Sequence, residues 1–197
     1  MKKSLYLLVF IFVCFLSLLP DLSAATGPIF GHKMTGGISN VSIYIDNKTH
    51  PYATYYQRLI KNAVNNWDNT GYGTNKFNYV YVGSSNGSKV DIYSHYLSFF
   101  GYDANVIAVT YFYNNLEQQV YPQNNDWYSA TIHLSDEVLS SDDISNSVAT
   151  GTFAHELGHA FGLAHNMSKN SIMCQVGAGR AVQKVQLVDH NTLNSLY

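Results

Sequence analysis

The chain predicts a single α+β domain in which a small mixed sheet packs against helices, and three observations lead there. Five short runs rich in β-branched and aromatic residues are separated by turns of Gly, Asn and Asp. Two longer stretches carry apolar residues at helical spacing, one ending at Asp68 and one passing through His155. A composition of 46% hydrophobic and 12% charged residues over 197 positions supports one ordinary core and carries no signature of disorder.

Taken in order, the chain opens on an address label. Lys2 and Lys3 precede an apolar run from Leu5 to Leu19, and Pro20 with Ser23-Ala24-Ala25 supplies a break and small residues for a signal peptidase. Residues 1–25 are therefore expected to be a signal peptide cut near Ala25, taking Cys14 with it and leaving a secreted chain with no further membrane span. Residues 26–40 form a short N-terminal segment, too brief for a folded pro-domain, and residues 41–197 form the main domain. Val41, Ile43 and Ile45 alternate with polar residues as in a half-buried strand. From Tyr52 to Asp68 the residues Leu59, Ile60, Ala63, Val64 and Trp67 fall on one helical face, with Trp67 in the core, and Asn69-Thr70-Gly71 stops the pattern. Strands are expected at Phe77 to Val82, Lys89 to Tyr93, Val106 to Tyr113 and Ser129 to Leu134. Gly83 to Ser88 reads as a plain turn, since no Lys or helix start follows at phosphate-loop spacing. The last pattern begins after the capping cluster Ser140-Ser141-Asp142-Asp143 and runs through Val148, Phe153 and Leu157.

That final helix carries the chemistry. The stretch HELGHAFGLAH, His155 to His165, holds three imidazoles and a carboxylate. Residues four apart share a helix face, so His155 and His159 can offer ring nitrogens to one ion about 2 Å away. Glu156, beside the first ligand, projects next to the metal, where it can take a proton from a metal-bound water. Gly162 lacks Cβ and can adopt the left-handed conformation that ends the helix, so the chain turns back and delivers His165 as a third ligand. The short His-Glu-x-x-His pattern is weak alone, and the added Gly and His each make coincidence about 20-fold rarer. Three neutral imidazoles leave a zinc ion its full charge and an open position, which points to peptide-bond hydrolysis with Glu156 as general base and then general acid.

His155, Glu156, His159, Gly162 and His165 resemble the long zinc-binding consensus of the metzincin metallopeptidases, and Met173 in Ser171-Ile172-Met173 resembles their Met-turn. The resemblance extends to matrixin-like catalytic domains: Val41 to Ile45, the helix ending near Trp67, and Val90-Asp91-Ile92 resemble the early elements, and Leu187 to Tyr197 resembles the closing helix. It implies a metzincin-like zincin fold, a secreted zinc endopeptidase, and Met173 as an apolar floor beneath the ligands. It further implies that Val106 to Tyr111 is an edge strand bordering the cleft, and that Gln175 to Gln183 walls the pocket for the residue after the scissile bond. Asn166 stands where matrixins usually place Ser, and Cys174-Gln175 replaces the usual Tyr-Pro or similar pair.

The remaining residues narrow the reading. A formal charge of -2 with scattered Lys and Arg excludes a nucleic-acid footprint. Cys174 is left as the one cysteine after signal removal, so neither an intrachain disulfide nor a cysteine latch from residues 26–40 is expected, and it reads as a small buried hydrophobe. His32, His50, His95, His133 and His190 show no ligand spacing and are set aside, which leaves one catalytic zinc and no second one. Calcium is open but not indicated, because no ligand loop of known spacing lies between Asp91 and Asp143. Sequons begin at Asn40, Asn47, Asn86 and Asn166. Arg180 can point into the pocket walled by Gln175 to Gln183 or to solvent, and solvent is expected. The expected partner is a protein or peptide substrate, with the chain itself a monomer, and the alternative is a secreted zinc-containing binding or toxin-like module without turnover.

Overall fold

The structure is a computed structural model that describes residues 25–46 and 53–197. The segment before Ala25 where a signal peptide is expected, His50 and the Asn47 sequon lie outside the described residues. Six strands form one mixed sheet: β1 Val41–Ile45, β2 Tyr79–Val82, β3 Val90–His95, β4 Ala108–Tyr113, β5 Gln119–Val120 and β6 Ser129–Ser135. Their spatial order is β2-β1-β3-β6-β4-β5. The pairs β1 with β2, β1 with β3 and β3 with β6 are parallel, whereas β4 runs antiparallel to both β6 and β5. The helices are α1 Ala53–Asp68, the short α2 Asp136–Leu139, α3 Asn146–Ala160 and α4 Leu187–Leu196.

Period-two alternation puts Val41, Ile43, Val90, Ile92, Ala130, Ile132 and Leu134 on the covered face of the sheet, where all are buried. Against them lie Leu59, Ile60, Ala63, Val64 and Trp67 of α1 and Ala149, Phe153 and Leu157 of α3. Both tryptophans tie the core to α3. Trp67 Nε1 donates to the Ala154 carbonyl at 2.8 Å, and Trp127 Nε1 donates to the Ala160 carbonyl at 3.0 Å. Burying an indole with its N–H satisfied keeps the area gain without an orphaned donor. These two bonds fix the helix that holds the motif.

The expected elements are all present, with boundary shifts that have local causes. The strand after α1 starts at Tyr79, because Phe77 is drawn into the core against Phe161 at 4.6 Å between centroids. α3 begins after the 140–143 cluster as expected, at Asn146, with Ser145 and no member of the cluster as its cap. Ser145 Oγ accepts from Val148 N, whereas the Ser140 and Ser141 hydroxyls bond back to the Glu137 and Val138 carbonyls and finish α2. The strand β5 has only two residues, too few for a periodic signal.

α3 ends where the sequence says it must. Gly162 has φ 103°, its N–H donates to the His159 carbonyl at 2.8 Å, and Leu163 N donates to the Gly158 carbonyl at 2.9 Å. A Cβ at Gly162 would also meet Leu196 Cδ2 of α4 at 2.6 Å, a side-chain end that can move aside, so it is the positive φ that calls for glycine there. No helix among the described residues is long and apolar enough to cross a membrane.

Candidate metal centre and cleft

His155 and His159 lie on one face of α3, one turn apart, and the turn at Gly162 returns the chain so that His165 joins them. One ligand atom from each of the three lies within 4.8 Å of the others, and this is the one group of three or more such side chains among the described residues. The His155 and His159 rings sit 4.6 Å apart at 85°, and His159 and His165 sit 4.7 Å apart at 69°. Arrangement of the lone pairs follows from the backbone. His155 Nδ1 is 2.8 Å from the Ile172 carbonyl, and His159 Nδ1 is 2.8 Å from the Leu163 carbonyl. A carbonyl only accepts, so each Nδ1 carries the hydrogen and each Nε2 presents a bare lone pair.

Burial finishes the preparation. It holds His155 well below the ordinary imidazole value, with the neighbouring His159 adding to the effect, and it lowers His159 to about 4. His165, more exposed, is lowered by the same two causes, partial burial first and His159 second. All three are thus neutral near pH 7, the form a divalent cation binds. The donor set, its spacing and its protonation state fit zinc, with His155, His159 and His165 as the residues that can hold it.

Glu156 is also buried, and burial pushes its carboxyl up to about 7, against an opposing hydrogen bond from Thr110. Thr110 Oγ1 donates to Glu156 Oε2 at 2.7 Å and lies 3.2 Å from the Glu156 carbonyl. Thr110 has no sequence signature, because only the placement of β4 beside α3 brings it there.

Met173 is 1% exposed and packs against Gly158 of α3, where a Cβ would collide with its sulfur and lie 3.0 Å from the Trp67 ring. The other glycine of the motif is thus needed for the methionine to seat against α3. Behind the Met-bearing turn stands Asp189 of α4. Its carboxylate accepts from Ser171 Oγ at 2.5 Å, Ile172 N at 2.9 Å and Gln186 N at 2.9 Å. Since the Ile172 carbonyl holds His155, Asp189 supports a ligand through one intervening residue. Cys174 is buried and free, as expected of a small hydrophobe.

The short N-terminal segment takes part too. Phe30 N donates to the Gly162 carbonyl at 3.1 Å and Ala164 N to the Pro28 carbonyl at 3.0 Å, so the segment braces the loop leading to His165. The Phe30 ring lies 5.5 Å from that of His159.

A cleft of about 670 Å³ runs past His155, Glu156, His159 and His165, between β4 and the segment from Gln175 to Arg180. The outer edge of β4 is open toward it. Ser135 N donates to the Ile107 carbonyl, and Asn114 N donates to the Gln118 carbonyl, so odd residues of this strand face β6 and even residues face away. β5 pairs only opposite Phe112 and Tyr113, which leaves the backbone groups of Ala108 and Thr110 facing the cleft with no strand beside them among the described residues.

One sequence expectation changes here. Arg180 does not reach solvent: it is 8% exposed and lines the cleft. Thr152 Oγ1 and Gln183 Oε1 accept from its Nη2 at 3.2 and 3.1 Å, and these inward partners outweigh the tendency of a long cation to turn outward. Unrelated by spacing, His95 and His133 are brought together by the pairing of β3 with β6, His95 Nε2 lying 2.8 Å from His133 Nδ1.

The sequence model of one family, Matrixin, matches residues 38–197. No curated protein matches. Among the solved structures that match is myroilysin, 17% identical over 70% of this chain with a TM-score of 0.42, and this chain spans about half of it, 54%.

Proposed function

This chain belongs to the matrixin family of zinc metallopeptidases, and on that premise we propose that it is a secreted endopeptidase in which Glu156 moves the proton. The observation that carries the reading is the meeting of three imidazoles, with two Nε2 lone pairs freed by backbone carbonyls, and one buried carboxylate at a cleft with an open strand edge.

His155, His159 and His165 would hold the zinc ion, which when bound supplies Lewis acidity toward a carbonyl oxygen and toward water. The protein's own groups do the rest. An extended peptide adds to β4 by hydrogen bonds with the backbone of Ala108 and Thr110, which sets the scissile bond beside Glu156. Thr110 anchors Oε2 of Glu156, and the carboxylate accepts the proton of the attacking water and hands it to the leaving amine nitrogen. Export rests on Lys2, Lys3, the run from Leu5 to Leu19 and the small residues before Thr26, with residues 41–197 as the catalytic domain.

A casein or generic peptide assay on the zinc-loaded mature chain tests this, with a chelator and with Glu156→Ala beside the wild type. Turnover is expected to be lost with chelator, and to fall by roughly 10²- to 10⁴-fold in the variant. Wild type and variant equally inert, each with one zinc bound, would establish the binding-module alternative instead.

A further inference from the structure

We propose that Arg180 makes the cleft a receptor for a carboxylate, so that the enzyme cuts next to an Asp or Glu side chain of its substrate. This deepens the endopeptidase reading and rests on it.

The guanidinium group is held in the wall of the cleft at 8% exposure. Its position relative to the chemistry follows from Thr152, which accepts from Nη2. Thr152 stands three residues before His155 and four before Glu156, on the same helix face, so the cation lies alongside the motif about one turn, roughly 5 Å, away. That is the reach of one short side chain from a peptide whose backbone is held at Glu156.

The cation is incompletely answered. Its two partners are neutral, Thr152 and Gln183. Nε is buried with no hydrogen-bond partner, and among the described residues the one ion pair is His32 with Asp126 elsewhere. Along the cleft the wall before it is Gln175, Val176, Gly177 and Ala178, which supply no counter-charge. Glu156 lies in the same cleft and acts on the guanidinium through space, with no hydrogen bond between them, so the buried cation has no paired anion; that is costly, and a purely structural prop at this point would be better served by an apolar side chain. α3 is also thinned to receive it: a Cβ on Gly151 would lie 3.2 Å from Arg180 Nη2 and 3.0 Å from Gln183 Cα, and would collide with the Gln183 amide oxygen. A planar fork of donors with unspent capacity, lining an open cleft, is matched by the two oxygens of a carboxylate.

Cleavage products of a proteome-derived peptide pool, mapped by mass spectrometry with the zinc-loaded wild type, give the first test. Asp and Glu are expected to be enriched at one of the two positions flanking the cut. Matched peptides differing only as Glu or Gln at that position should differ by about 10- to 100-fold in kcat/KM, as a charge-assisted hydrogen bond predicts. Arg180→Gln should abolish the difference, and Arg180→Glu should favour Lys or Arg there, with zinc content and thermal melting confirming that each variant folds. Where a variant fails to fold, the wild-type profile decides alone. Peptide cleavage with no acidic enrichment overturns this inference and leaves the endopeptidase standing, whereas no cleavage of any peptide overturns both. A Glu preference that persists in folded Arg180→Gln also overturns it.

Discussion

Removing the Asp189 carboxylate should loosen the metal centre from a distance. In Asp189→Ala three donors lose their acceptor: the Ser171 hydroxyl, Ile172 N and Gln186 N. They will not suffer equally. The hydroxyl can rotate, and Gln186 N sits at a half-buried helix start where water can replace the lost oxygen, but Ile172 is fully buried and its N–H has no alternative. One orphaned buried donor and two partly recovered ones, at about 1–3 kcal/mol for a complete loss, sum to about 2–4 kcal/mol after crediting the relief of no longer burying the carboxylate. Asp189→Asn, which keeps one acceptor oxygen but turns an NH2 toward donors, should cost about half as much. Urea unfolding of the zinc-loaded protein measures the stability term. Because the Ile172 carbonyl orients His155, zinc affinity measured against a competing chelator should fall as well, by roughly 10- to 100-fold, the usual effect of losing such support. A stability change under about 0.5 kcal/mol, or unchanged zinc affinity in a destabilised variant, would refute the proposed chain from Asp189 through Ile172 to His155.

Two further outcomes follow from the sheet. Ala108→Pro removes an outward-facing N–H and no ladder bond, so the protein should fold, bind zinc and lose most peptide turnover, whereas Val109→Pro should cripple folding itself; full activity in folded Ala108→Pro would dismiss the edge as a substrate strand. His133 is held down to about 4, first by burial and second by His95, while its unfolded value is near 6.5, so the unfolded chain takes up the proton first on acidification. This contribution to stability is complete above pH 6.5 and is lost between 6.5 and 4. The wild-type melting temperature should therefore drop over that interval by more than that of His133→Gln, with parallel curves as the contrary result.

How much of this was legible in the sequence depended on whether one residue type forces one geometry. The ligands were, because i to i+4 spacing on a helix admits one arrangement and Gly162 can turn where other residues strain. Strand alternation gave the covered face of the sheet in the same way. The supports were not. Thr110, Asp189 and Phe30 reach the site from 46, 17 and 129 positions away from their contacts at Glu156, Ile172 and His159 in a manner no local period records, and only the antiparallel placement of β4 and the return of α4 bring the first two in. The Arg180 expectation failed for a related reason. Solvent is the default for a long cation, and it was displaced here by two neutral acceptors and a missing Cβ that lie 28, 3 and 29 residues off.

The division has a consequence for what substitution can change. Residues that offer the metal its lone pairs are fixed by helix geometry, and the carbonyls of Ile172 and Leu163 fix the tautomers of His155 and His159 without any side chain. Backbone atoms cannot be altered by mutation, only moved. Anything that displaces the turn carrying Ile172 therefore acts on the metal, while the wall from Gln175 to Gly179, tied to the turn mainly through its ends, can vary without touching the ligands. Arg180 stands at the junction, bonded to α3 through Thr152 and placed at the end of that wall. A protein built this way can alter which side chain it admits by changing one wall residue while the three imidazoles and Glu156 keep their geometry, and that separability is what makes the charge swap at Arg180 a fair test of selection rather than of folding.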